Sequence, residues 1–102
     1  MKAGLAAIAI ASAAALAPAS ALAQDTQGRN LAASCAICHG TEGRLTSSSL
    51  APIAGLPKDY FVRQLRDFRD GKRPATVMHQ ISKGYTEPQM EALAAWFAAQ
   101  KR

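Results

Sequence analysis

Apolar positions in this chain fall into one nearly unbroken run followed by three stretches with helical spacing. The run occupies Gly4 to Ala17 after a basic start at Met1-Lys2, and Pro18-Ala19-Ser20 interrupts it before the small-x-small triplet Ala21-Leu22-Ala23. That three-part pattern is a secretory leader, so residues 1–23 are expected to be removed and the mature domain to span residues 24–102. As a retained anchor the run would be short and weakly hydrophobic against the roughly 20 apolar residues of a bilayer span, so no stable membrane insertion is expected after cleavage.

The first helical stretch starts at Asp25, with Asp25 or Thr26 placed to cap it and Leu31, Ala32 and Cys35 recurring on one face. Gly28 shares that face; without a side chain there, another helix could cross very close. Gly40-Thr41-Glu42-Gly43 reads as a turn and Arg44 to Ala51 as an exposed loop. The second stretch lies between Pro57, suited to a first helical turn, and Gly71, suited to a position just past the end. Tyr60, Phe61, Leu65 and Phe68 make its apolar stripe. Its other face alternates Arg63, Arg66 and Arg69 with Asp59, Asp67 and Asp70, and reads as a solvated face with Asp59–Arg63 and Arg66–Asp70 pairs. The third stretch opens at Thr86-Glu87-Pro88-Gln89, which has capping-box spacing, and runs to about Gln100 with Met90, Leu93, Ala94 and Phe97 facing inward. Trp96 and Phe97 are the natural counterparts of Gly28 and Leu31, so the first and last helices are expected to cross there. No alternating strand pattern occurs, and the expected class is all-α with three main helices.

Residues 24–102 are few for a self-sufficient core. Below roughly 80 residues a core seldom supplies more than about 3–5 kcal/mol, so an internal staple is expected and the chain without it should be largely unfolded. The formal net charge of the full chain is +5, and no basic stripe interleaved with aromatics is present, which argues against nucleic acid as a partner.

The staple is written at Cys35-Ala36-Ile37-Cys38-His39-Gly40. Cys-x-x-Cys-His is the attachment pattern of a c-type haem. On a helical turn Cys35 and Cys38 project from one face, where both thiols reach one edge of a porphyrin, and His39 stands four after Cys35 to place a ring nitrogen on the iron. A thioredoxin-like redox pair would need a preceding strand, and a zinc site would need two further soft ligands; the chain has only 2 cysteines. One motif implies one haem. Export fits, because haem is attached outside the energy-conserving membrane, in the periplasm or its equivalent. There a chain that missed its haem could join Cys35 to Cys38 as a disulfide.

A proximal histidine normally donates its second ring N–H to an acceptor, and the Pro52 carbonyl is a candidate, although Pro52 also reads as an ordinary loop proline. Candidates for the sixth iron ligand are Met78, His79 and Met90. Met90 is explained by its core stripe. Met78, in the segment between the later helices, is preferred, with His79 or an open position as alternatives.

Gly28-x-x-Leu31, Cys35-Ala36-x-Cys38-His39-Gly40, Pro52-x-Ala54-Gly55, Gln64-Leu65, Phe68, Gly71, the loop methionine and Leu93-Ala94-Ala95-Trp96-Phe97 together resemble a class I cytochrome c over nearly the whole mature chain. The tract Tyr60 to Phe68 with Gly71-Lys72-Arg73-Pro74 and Thr76-Val77-Met78 is similar to the cytochrome c4 group, and most of all to the haem subunits of flavocytochrome c sulfide dehydrogenases. Leu56 departs from the glutamine that the c4 group often carries. The resemblance implies a cytochrome c fold, thioethers at Cys35 and Cys38, proximal His39, distal Met78 and a Pro52 carbonyl orienting His39. Three functions follow as expectations: haem subunit accepting electrons from a sulfide-oxidising flavoprotein, free carrier between membrane complexes, or haem enzyme or gas sensor with an open iron.

Overall fold

A computed structural model describes Gly4, residues 19–45, Ser47 and residues 50–102, with side chains from Asp25 onward. The expected leader therefore lies mostly outside the described residues. The elements are α1 (Ala19–His39), a 3₁₀ turn (Thr41–Gly43), α2 (Lys58–Arg69), α3 (Met78–Ser82) and α4 (Glu87–Ala98). No strand occurs among the described residues. No helix among them is long and apolar enough to cross a membrane.

α1 is already helical at Ala19, ahead of the expected cap. Ala19 to Gln24 contains nothing that stops a helix, and alanine has the highest helix propensity, so the helix runs through Asp25 and Thr26. At its far end the Leu45 N–H donates to the His39 carbonyl at 2.8 Å, closing the chain over the last turn.

α4 keeps its predicted start. Thr86 Oγ1 accepts from the Gln89 N–H at 3.3 Å, and Gln89 Oε1 accepts from the Thr86 N–H at 2.9 Å, so both bonds of the capping box are present. Its buried face carries Met90, Leu93, Ala94 and Phe97. Phe97 stacks on Phe61 of α2 with ring centroids 5.4 Å apart, and the two helices share one core with Ala32, Val62 and Leu65.

α1 crosses α4 at the expected glycine. A Cβ on Gly28 would lie 2.7 Å from the Ala92 carbonyl oxygen and 3.1 Å from Trp96 Cβ, closer than a side chain tolerates. The stripe of α2 differs from expectation in one respect: Val62 is buried and Tyr60 is 38% exposed, with the Arg63 guanidinium over its ring at 5.8 Å. The helix has turned so that Phe61, Val62 and Leu65 face the core, which leaves Phe68 only half-buried.

The charged face of α2 also differs. Arg66 reaches Glu87 at the start of α4, with Nε and Nη2 donating to Oε2 at 2.9 and 2.7 Å, rather than Asp70. Arg69 donates through Nη1 to the other oxygen of the same carboxylate at 2.8 Å and through Nε to Asp70 at 3.1 Å. Lys58 pairs with Glu91 at 3.1 Å. A forked guanidinium matches a carboxylate better than a flexible four-apart pair along one helix, so the arginines link helices instead of decorating one.

Candidate functional site

Cys35, Cys38 and His39 stand on the last turn of α1, and Cys35 is half-buried against the shared core while Cys38 is exposed. Both thiols are free. Burial pushes the Cys35 thiol up from its ordinary pKa, partly offset by the Ser34 and Tyr85 hydroxyls. A catalytic redox pair needs the opposite, a thiol pushed down so that the thiolate is populated.

His39 is fixed by a tertiary contact. Its Nδ1 lies 2.7 Å from the Ala51 carbonyl oxygen, so Nδ1–H donates there and the lone pair of Nε2 is left for a metal. The acceptor is therefore Ala51, one residue before the expected Pro52. Pro52 biases the residue ahead of it toward extended backbone, and the carbonyl presented to the ring is the one preceding the pyrrolidine. The presenting segment is itself pinned: the Ile53 and Ala54 N–H groups donate to the Gly43 carbonyl at 2.8 and 3.1 Å. Gly43 has φ 76°, and a Cβ there would meet Ile53 Cγ1 at 2.5 Å, so this junction requires glycine. Nearby, Arg44, Pro52, Ala54, Leu56 and Arg102 line an open hollow of about 220 Å³.

Met78 opens α3 and is half-buried against the same core that Cys35 borders. Met90 is fully buried at 0% exposure, a core side chain as expected. His79 is half-buried, and its Nδ1 and the Ser82 Oγ are enclosed without a hydrogen-bond partner. Among the described residues no group of three or more His, Cys, Asp or Glu gathers as a metal cluster.

These residues fit a covalent haem. Two thiols stand three apart, one imidazole has its tautomer set by Ala51, and a thioether lies on the margin of the same core. Around them is apolar surface: Ile37 is 84% exposed, Val77 54% and Ile81 42%.

The comparisons agree. The cytochrome subunit of sulfide dehydrogenase from Chlorobaculum tepidum is 40% identical over 73 residues, which cover 72% of this chain and 66% of that protein. The chain belongs to the class I cytochrome c family. Its cofactor is haem c. Cytochrome c4 of Pseudomonas aeruginosa is 32% identical over 72% of this chain and 37% of its own length. The thiosulfate dehydrogenase electron acceptor of Thiomonas intermedia is 41% identical over 69% and 33%. The chain thus spans about two thirds of the first relative and about a third of the other two. It matches no family profile.

Sequence reasoning missed one contributor. The Ala51 carbonyl had no signal beyond its place before a proline.

Proposed function

We propose that the mature chain is an exported, periplasmic one-haem electron carrier, and that it works as the haem subunit of a sulfide-oxidising flavoprotein. Cys35 and Cys38 would carry the two thioethers, and His39 through Nε2 and Met78 through its sulfur would ligate the iron. The haem supplies a one-electron couple. The protein's part would be to hold those two ligands in place, exclude water from the site and keep one edge of the group accessible. Ala51 does the first for His39, through the Nδ1–H bond that also raises the basicity of the ligating nitrogen. A thioether ligand together with an imidazole would favour the ferrous state and raise the potential. An iron ligated by both His39 and Met78 would leave no place for substrate, which argues against an open-iron enzyme or gas sensor.

The observation that carries the choice of partner is the character of the surface around the site. A freely diffusing carrier usually surrounds its exposed edge with lysines, which speed encounter and make it salt-sensitive. Residues 35–43 and 74–84 contain one lysine, Lys83, whereas Ile37, Val77 and Ile81 are exposed. An apolar rim with few charges suits a lasting interface. The Chlorobaculum relative is itself named a subunit.

Purification from the native host at physiological salt tests this reading. The cytochrome is expected to travel with a flavoprotein, and rapid mixing of that complex with sulfide to reduce the haem. Elution of the cytochrome alone, with its haem left oxidised by flavoprotein plus sulfide, would establish the free-carrier reading instead.

A further inference from the structure

The segment from Asp70 to Val77 is exposed at every residue, and α3, which follows it, is only five residues long. A helix so short does not hold itself together by its own bonds, and every residue of the segment leading into it is exposed. Its internal bonds are local: the Gln80 and Ile81 N–H groups donate to the Val77 carbonyl at 3.0 and 3.1 Å, and Gly84 N–H to Ile81 at 3.0 Å. Met78 is nevertheless placed against the core. Ser82 at the end of α3 is fully buried too, so the helix itself is anchored by packing, and it is the exposed segment before it that is held through its ends.

The ends are joined to each other. Before the segment, Arg66 and Arg69 stand in the last turn of α2; after it, Glu87 is the first residue of α4. One carboxylate receives both guanidinium groups, one on each oxygen, at 2.7 to 2.9 Å. Cations at a helix C-terminus and an anion at a helix N-terminus also suit the two helix dipoles, so each partner is favoured where it stands. The entry segment is folded back on α2 as well, with Lys72 and Arg73 N–H donating to the Asp67 carbonyl at 2.8 and 3.2 Å and the Arg73 guanidinium 4.6 Å from the Phe68 ring centroid. Fixing the ends of a loop narrows the conformations open to its middle.

We propose that Glu87, with Arg66 and Arg69, is a positioning group for the sixth iron ligand: the triad closes the loop that carries Met78 and so keeps the thioether on the iron. This rests on the reading of Met78 as that ligand. Breaking the triad frees the loop ends, and the methionine leaves the iron while the core of α1, α2 and α4 stays folded. A merely structural role would loosen ligation and fold together.

The test uses the holoprotein in urea, which does not screen charge. Two signals are followed: the thioether-to-ferric-iron charge-transfer band and far-ultraviolet helicity. Glu87→Gln is expected to lose the band at lower urea than the parent with the helicity midpoint moving less, and to raise the fraction without methionine ligation about two- to fivefold at a fixed low urea concentration. Arg66→Gln with Arg69→Gln should reproduce this, and Glu87→Asp should restore part of it. Added sodium chloride should move the parent toward Glu87→Gln and leave the variant where it is. Band and helicity shifting together, or an unmoved band, overturns the proposal. Met78→Ala, run alongside, separates the two readings, because a band retained there rejects Met78 as ligand. Amide exchange over residues 77–85 then judges the triad alone: faster exchange in Glu87→Gln supports the loop closure, and unchanged exchange rejects it.

Discussion

The two sides of the site are held by different means. On the attachment side, Cys35, Cys38 and His39 share one helical turn, that turn belongs to α1, and α1 lies against α4 through the Gly28 contact. On the methionine side, Met78 belongs to a five-residue helix behind an exposed segment, tied down through the ends of its neighbours. The first geometry is contiguous and backed by packing. The second, on the loop-closure proposal, adds to the packing of Met78 and Ser82 a set of long-range charge contacts that salt and acid weaken. Ligation on the methionine side is therefore expected to yield first under stress, and attachment to survive it.

The largest expected effect is on the attachment side. Cys35→Ser with Cys38→Ser removes covalent haem, and the chain should lose its cooperative thermal transition, because so small a core is built against the cofactor. A sharp calorimetric transition in the haem-free variant would show that the helices hold without it.

Met78→Ala comes next and tests the other side alone. Covalent haem should remain, the charge-transfer band should disappear and the potential should fall, as read by spectroelectrochemistry. Gly28→Val probes the packing behind the attachment turn. With the Ala92 carbonyl 2.7 Å from the position of a new Cβ, the variant should lose about 1–3 kcal/mol in urea unfolding. A loss near zero would mean that the two helices part easily at this point.

Pro52→Ala is expected to be milder. The Ala51 carbonyl still faces His39, so the cost is chiefly the added freedom of the unfolded chain, about 0.4–1 kcal/mol. The smallest effect concerns acid. Arg66 and Arg69 hold the Glu87 carboxyl below its usual pKa, with Asp70 beside Arg69 and Glu91 near Arg66. The contribution of a depressed carboxylate is complete above its unfolded pKa and is lost as pH falls through the lower folded value. Acid titration of the charge-transfer band should show one component in that window that is absent from Glu87→Gln.

Most of the architecture was legible in the order of residues, because the signals are local. The capping box at Thr86 and Gln89, the glycine at position 28 opposite Trp96 and the inward face of α4 are each specified by neighbours a few positions apart, and all appear where expected. The haem motif is legible for the same reason: its five residues are consecutive, and one helical turn suffices to gather them. The start of α1 was misplaced, since an alanine-rich stretch continues a helix past a residue that could have capped it. Tyr60 was placed in the core because periodicity shows that a helix has an apolar face but not how far the helix turns when it docks. The rest lay beyond local reading. Ala51 rather than Pro52 faces His39 because the Gly43 junction sets how the returning chain lies over the ring, and Glu87 rather than Asp70 takes Arg66 because α2 ends beside the start of α4. Both contacts join residues far apart in sequence. Spacing within one helix specifies which groups share a face, whereas which of several chemically equivalent acceptors a side chain meets is decided only when the helices pack.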